Sequence, residues 1–205
     1  MQTIQKDCRT EIVIEKSRFI CTLKKVSSEA EAQEFIKSTK KKFWDATHNC
    51  SAYIINDMQQ RSSDDGEPSG TAGVPMLEVL RKKNLTGVAA VVTRYFGGIK
   101  LGAGGLVRAY TNSVVSAVEA AGLARRVEMT VFSLSAPPGE AGRIMNKLYN
   151  QSIFTVSGAE YGERVRILLY MKREQKAEAE EWLTAALNRT VELDEVSTEF
   201  VEVPV

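Results

Sequence analysis

Hydrophobic and polar positions alternate along this chain in two differently sharp patterns, and the second half is the clearer. Met129 to Ala136 repeats with period two and predicts a strand, stopped by Pro137-Pro138-Gly139 before Ala141, Ile144, Met145 and Leu148 form a helical stripe. Ile153 to Val156 and Val165 to Tyr170 predict two further strands, joined by a glycine-containing turn from Ser157 to Gly162. An amphipathic helix follows, with Ala179, Trp182, Leu183, Ala186 and Leu187 on one face, and Val191 to Val203 closes as a strand. The order is β-α-β-β-α-β in about 75 residues, the split βαβ arrangement in which two helices cover one face of an antiparallel sheet.

The first half mixes helices and strands. Glu11 to Val26 holds two alternating strands around Glu15-Lys16-Ser17-Arg18, and Ser28 opens a helix that turns Ala32, Phe35, Ile36 and Thr39 inward. Cys50 to Asn56 predicts a strand, Asp57 to Gly70 is polar and turn-rich, and Thr71 to Lys83 predicts a helix with Pro75 in its first turn. From Val88 the chain is apolar on both faces of a strand, which places that strand centrally in its sheet. The helix after it should bury Val107, Tyr110, Val114, Val118 and Ala121 and end at Gly122. The expectation is an α+β protein of two domains, residues 1–130 and a ferredoxin-like domain over residues 131–205.

A chain of 205 residues that is 43% hydrophobic and 26% charged can bury one large core or two small ones. No apolar run approaches the roughly 20 residues that cross a bilayer, and the first residues lack the apolar core of a signal peptide. A cytoplasmic protein without membrane association is expected. Cys8, Cys21 and Cys50 are odd in number and form no C-x-x-C pair, so they read as reduced, mostly buried thiols. Net charge is +1, yet residues 1–130 carry 19 Lys and Arg against 14 Asp and Glu, and residues 131–205 carry 8 against 12. The basic clusters Lys24-Lys25, Lys40-Lys41-Lys42, Arg81-Lys82-Lys83 and Arg125-Arg126 are most simply solvated turns or helix ends, where lysine complements the helix dipole.

The most distinctive chemistry lies between Arg94 and Arg108. Gly97, Gly98, Gly102, Gly104 and Gly105 lead from the apolar strand into a helix, with Arg94, Lys100 and Arg108 around them. Free amides at a helix start, beside positive charge, are what a phosphate or another anion requires. The spacing fits neither G-x-x-x-x-G-K-[ST] nor G-x-G-x-x-G, since no Lys-Ser or Lys-Thr follows and Val107 takes the third glycine position. The same glycines also fit a tight strand-to-helix connection, and the three cations favour binding.

A second constellation, Asp64, Asp65, Gly66, Glu67, Ser69, Gly70 and Thr71, places three carboxylates within four residues. Its spacing lacks the alternating ligands of a calcium loop, so the preferred reading is a turn at Asp65-Gly66, a helix cap from Ser69 or Thr71, and ion pairs to Arg94 or Arg108. His48 and Cys50 sit two apart; on a strand they share a face at about 6–7 Å, too far for a Cys-His nucleophile. A satisfied, partly buried His48 is the expectation. No catalytic residue, cofactor or metal is assigned.

Asp64-Asp65-Gly66-Glu67-Pro68-Ser69-Gly70-Thr71-Ala72-Gly73-Val74-Pro75-Met76-Leu77, followed by Val92-Thr93-Arg94-Tyr95-Phe96-Gly97-Gly98-Ile99-Lys100-Leu101-Gly102, resembles the paired signature of the Impact family, in its bacterial YigZ/YvyE branch. His48-Asn49-Cys50-Ser51-Ala52-Tyr53 resembles a strand of the same family. The resemblance implies a first domain with the fold of ribosomal protein S5 domain 2 and a tail similar to the last domain of elongation factor G, both recurrent in ribosome-bound proteins. It implies a regulator or accessory factor of translation whose partner is RNA or the ribosome, with a protein partner for the acidic second domain as a further expectation. Kinases that hold ATP on a glycine-rich loop share the S5-type fold, so a phosphorylated small molecule is the alternative ligand. Eukaryotic members restrain the amino-acid starvation kinase by competing for its activator through an amino-terminal module; the residues before the first domain here are too few for one, and that mechanism is not carried over.

Overall fold

The strand that is apolar on both faces lies in the middle of an antiparallel sheet in the computed structural model, which describes residues 2–205. In chain order the first elements are β1 (Gln2–Ile4), β2 (Cys8–Ile14), β3 (Ser17–Lys25), α1 (Glu29–Lys42), β4 (His48–Ile54), β5 (Gln60–Ser63), α2 (Gly73–Lys82), β6 (Val88–Tyr95) and α3 (Gly102–Ala121). The sheet runs β2-β3-β6-β4-β5, with every pair antiparallel. Strand β6 is flanked on both sides, so it has no edge and can be apolar throughout. Val88, Ala90 and Val92 face one layer with Phe19, Cys50, Met76, Leu80, Tyr110 and Val114. Ala89 and Val91 face the other with Ala32, Phe35 and Tyr53. Helices α2 and α3 therefore cover one face and α1 the other.

The remaining elements are β7 (Leu123–Ala136), α4 (Pro138–Leu148), β8 (Thr155–Tyr161), β9 (Val165–Met171), α5 (Lys176–Leu187) and β10 (Asp194–Pro204). Their sheet order is β10-β7-β9-β8. Phe132, Leu134 and Ala136 share one face with Ile167, Leu169 and Met171, and that face packs on Ala141, Ile144 and Leu148 of α4 and Ala179 and Leu183 of α5. Phe154 meets Trp182 edge to face at 5.7 Å between centroids. By internal contacts the chain divides into one unit up to Arg126 together with Glu202–Val205, and a second unit of Val127–Val201.

Several expected boundaries move, each for a local reason. Residues Gln60–Ser63, read as loop, form β5, a polar edge strand with a single neighbour and no need of an apolar face. Strand β1 is too short to show a period, and it pairs with Leu123–Arg125, so β7 begins six residues before Met129. The stretch Ser157 to Tyr161 continues β8 through a register shift between Val156 and Gly158, where a glycine-marked turn was expected. Of the residues expected inward on α3, Tyr110, Val114, Val118 and Ala121 are buried, while Val107 is 36% exposed and Leu106 takes its place, with Ala109, Ser113 and Ala117 completing the face. No helix among the described residues is long and apolar enough to cross a membrane.

Candidate functional site

Each carboxylate of the acidic loop has its own partner within the first unit. Asp64 accepts from the backbone amides of Gly70, Ala72 and Gly73 at 2.9, 3.1 and 2.8 Å, so this side chain, and not Ser69 or Thr71, closes the start of α2. Burial alone would raise its carboxyl; the hydrogen bonds from Gly70, Gly73 and Ala72 outweigh that and hold it below its ordinary value. Thr71 donates its hydroxyl to the Pro68 carbonyl. Asp65, in a left-handed conformation beside Gly66, accepts from Lys40 Nζ at 2.5 Å and from the Asn49 amide at 2.7 Å. Three carboxylates that point to three different partners leave none converging on a cation.

Glu67 points inward. Its Oε1 accepts from Arg94 Nη1 at 2.6 Å and from the Tyr110 hydroxyl at 2.8 Å. Cys50 Sγ lies 3.3 Å from that hydroxyl, so β4, α3, the acidic loop and β6 are joined by one chain of polar contacts beneath the surface. Burial pushes the Cys50 thiol up to about 12, which makes it a poor nucleophile near neutral pH. His48 Nδ1 lies 2.9 Å from the Asp65 carbonyl, which only accepts, so Nδ1 carries the hydrogen and Nε2 faces Glu67 Oε2 at 3.7 Å. His48 is thus partly buried with Nδ1 paired, while Nε2 stands beyond hydrogen-bond distance of Glu67; Cys50 Sγ meets the Asp64 carbonyl and the Tyr110 hydroxyl and is not paired with the imidazole.

The glycine segment divides into structural and open positions. A Cβ on Gly97 would stand 2.0 Å from the backbone of Lys16 in the β2–β3 turn, so this glycine is required by close approach of two chains. Gly102 has a φ of +68° with nothing within 4 Å of a Cβ, so it serves the bend that starts α3. The N-cap of α3, Leu101, offers no side-chain acceptor, and the first turn holds no acidic residue. Helix α1, by contrast, is capped by Ser28 with Glu29 and Glu31 in its first turn. The amides at the start of α3 therefore open outward with the positive end of a 20-residue helix dipole behind them.

Those amides border a cavity of about 460 Å3, lined by His48, Glu67, Pro68, Arg94, Phe96, Lys100, Leu101, Gly102, Ala103 and Leu106 among others. Arg94, Lys100, Gly102 and Glu67 are brought together there. Arg94 is 5% exposed and committed to Glu67, so it forms a wall and not a free surface cation. Arg108 and Gly104 are exposed on the first turns of α3, with the guanidinium beside Gly104. Gly98 and Gly105 are outside the cavity lining; Gly105 packs against Leu101. Sequence reasoning missed Phe96, Pro68 and His48 as walls, although Phe96 sits inside the glycine segment and is 46% exposed.

All of these residues fall within residues 15–118, which match the Impact N-terminal domain family. The IMPACT family member YvyE of Bacillus subtilis is 49% identical over 202 residues, spanning 98% of this chain and 93% of that protein. The IMPACT family member YigZ of Escherichia coli is 42% identical over 125 residues, 59% of this chain and 61% of that one. A crystal structure of a hypothetical protein matches with a TM-score of 0.59 at 30% identity, covering 96% of this chain and 97% of the other.

Proposed function

We propose, since this chain belongs to the Impact family with the bacterial YvyE and YigZ proteins, that it is a non-catalytic accessory factor or regulator of translation that binds RNA or a ribosomal surface. The contact face is the start of α3, with Lys100, the amides of Gly102, Ala103 and Gly104, and Arg108. Arg94 holds that face in place through Glu67. The observation that carries this reading is the uncapped N-terminus of α3 beside Lys100, an arrangement that attracts phosphate, with no acidic residue in its own first turn and the nearby Glu67 already paired with Arg94.

The fold supports the same direction. The second unit is read as a ferredoxin-like domain similar to the last domain of elongation factor G, a reading supported by its β-α-β-β-α-β order and by the pairing of β7 with β9 and β10 and of β9 with β8. The first unit is read as a ribosomal protein S5 domain 2-like fold. Sedimentation of a cell lysate on a sucrose gradient at low salt tests the reading: the protein should travel with ribosomal particles and leave them as salt rises. Its confinement to the top of the gradient at every salt concentration would oppose it.

A second reading, a phosphorylated small molecule as ligand, is favoured by one feature: the amides border a concave, half-open cleft of about 460 Å3. A ligand at 100 times its dissociation constant would add about 2.7 kcal/mol of stability, which a thermal-shift screen of nucleotides and phosphorylated metabolites would register.

A further inference from the structure

We propose that the cavity at the start of α3 takes one unstacked nucleotide of single-stranded RNA, with its base against Phe96 and Leu101 and its phosphate on Lys100 and the amides of Gly102 and Ala103. The inference rests on the RNA-binding reading above and names the part of RNA that the site holds. At about 460 Å3 the cavity lies within the roughly 300–1,000 Å3 of small-ligand sites, large enough for a base with its sugar. Phe96, Pro68, Leu101, Ala103 and Leu106 give it apolar walls, while Lys100 and the helix start supply positive charge.

That combination discriminates between forms of RNA. A duplex presents phosphates but keeps its bases stacked, so it would meet Lys100 and Arg108 and leave the apolar volume empty. A splayed base fills it, since every base has a π-face and stacking on an aromatic side chain needs no particular edge. Phe96 is suited to this. Its ring lies 5.5 Å from the Arg94 guanidinium, which fixes it from one side while nearly half of the residue remains open.

Arg94 provides a second, independent sign that the site is incomplete alone. Its side chain is 6% exposed and lines the cavity; Nη1 is held by Glu67, yet Nε is buried without a hydrogen-bond partner. A buried donor of a charged group left unpaired is costly, and native proteins rarely keep one that nothing ever satisfies. Glu67 neutralises the guanidinium, so the net charge offered to a phosphate comes from Lys100 and the helix dipole.

Fluorescence anisotropy of the full chain with a labelled single strand of about ten nucleotides, and with a blunt duplex of the same length, tests this. The single strand should bind more tightly than the duplex. Phe96→Ala should weaken single-strand binding by roughly 5- to 150-fold with an unchanged melting temperature, and Phe96→Trp should retain it. Lys100→Ala should reduce the salt slope by about 0.7 for the single strand. Equal binding of both forms, unaffected by Phe96→Ala, would overturn the nucleotide cavity and leave the cationic face standing. No binding of either at low salt would overturn both. Saturable binding of adenosine monophosphate with no binding of the strand would overturn RNA as the source in favour of a free nucleotide.

Discussion

Arg94 Nη1 donates to Glu67 Oε1 at 2.6 Å, with only 6% and 3% of the two side chains exposed. This contact pins the acidic loop to the last turn of strand before the glycine segment, and so makes one site of two stretches that lie 27 residues apart. Tyr110 donates to the same oxygen from α3, which fixes the helix whose start faces the cavity.

Removing one partner of a buried pair leaves the other charge uncompensated. Glu67→Ala should therefore cost about 3–5 kcal/mol, read as a lower urea midpoint by far-ultraviolet circular dichroism. Glu67→Gln keeps an acceptor for Tyr110 and should lose less. A loss below about 1 kcal/mol for the alanine variant would mean that the pair is far more hydrated than its burial indicates.

Asp64 titrates below its ordinary 3.8 when folded, because the amides of Gly70, Gly73 and Ala72 outweigh the effect of burial. A lowered folded value gives stability that is present above the unfolded pKa and is lost as pH falls through the folded one. Asp64→Ala should cost about 0.5–2 kcal/mol at neutral pH, and its stability curve should converge with that of the parent protein on acidification. Parallel curves down to the acid limit would contradict the capping role.

Burial raises the Cys50 thiol to about 12 and lifts Cys21 well above its usual range, while Cys8 is half-buried. Alkylation at mildly alkaline pH should modify Cys8 first, and Cys21 and Cys50 only after denaturation. Mass spectrometry of the native reaction checks this, and rapid modification of Cys50 would contradict it.

Two glycines of one segment should respond differently to alanine. At Gly97 the new Cβ would meet the Lys16 backbone at 2.0 Å, and at Gly102 it would find open space with only the positive φ to tolerate. Gly97→Ala should lower the melting temperature by several degrees, and Gly102→Ala by about 2–4 °C for a cost near 1 kcal/mol. The reverse order would contradict the close approach of the β2–β3 turn to Gly97.

The sequence carried the elements whose side chains must pack. Strand β6 was legible because a central strand has two buried faces, and α3 because Tyr110, Val114 and Val118 recur at helical spacing. Strand β5 was not, since an edge strand of Gln60, Arg61, Ser62 and Ser63 meets its one neighbour through backbone alone. Val107 illustrates a different limit: Tyr110, Val114, Val118 and Ala121 lie on the buried face of α3 as expected, but at the first turn Leu106 takes the place given to Val107, because the two neighbours are both apolar and only packing selects between them. Within the site, Arg94 and the acidic loop were legible as candidate partners, whereas the specific choice of Glu67 was not. Tyr110 was read as core, and its hydroxyl proved to be the link from α3 to Glu67, a role that no spacing rule encodes.

If the start of α3 contacts phosphate through Lys100 and Arg108, the salt dependence of binding to ribosomal RNA will report both cations. The Lys100→Ala, Arg108→Ala double variant should bind with a slope of log affinity against log salt that is shallower than the parent's by about 1.4–1.8, since each cation that neutralises a phosphate contributes about 0.7–0.9. An unchanged slope, or a parent protein that does not bind the RNA at low salt, would contradict the account.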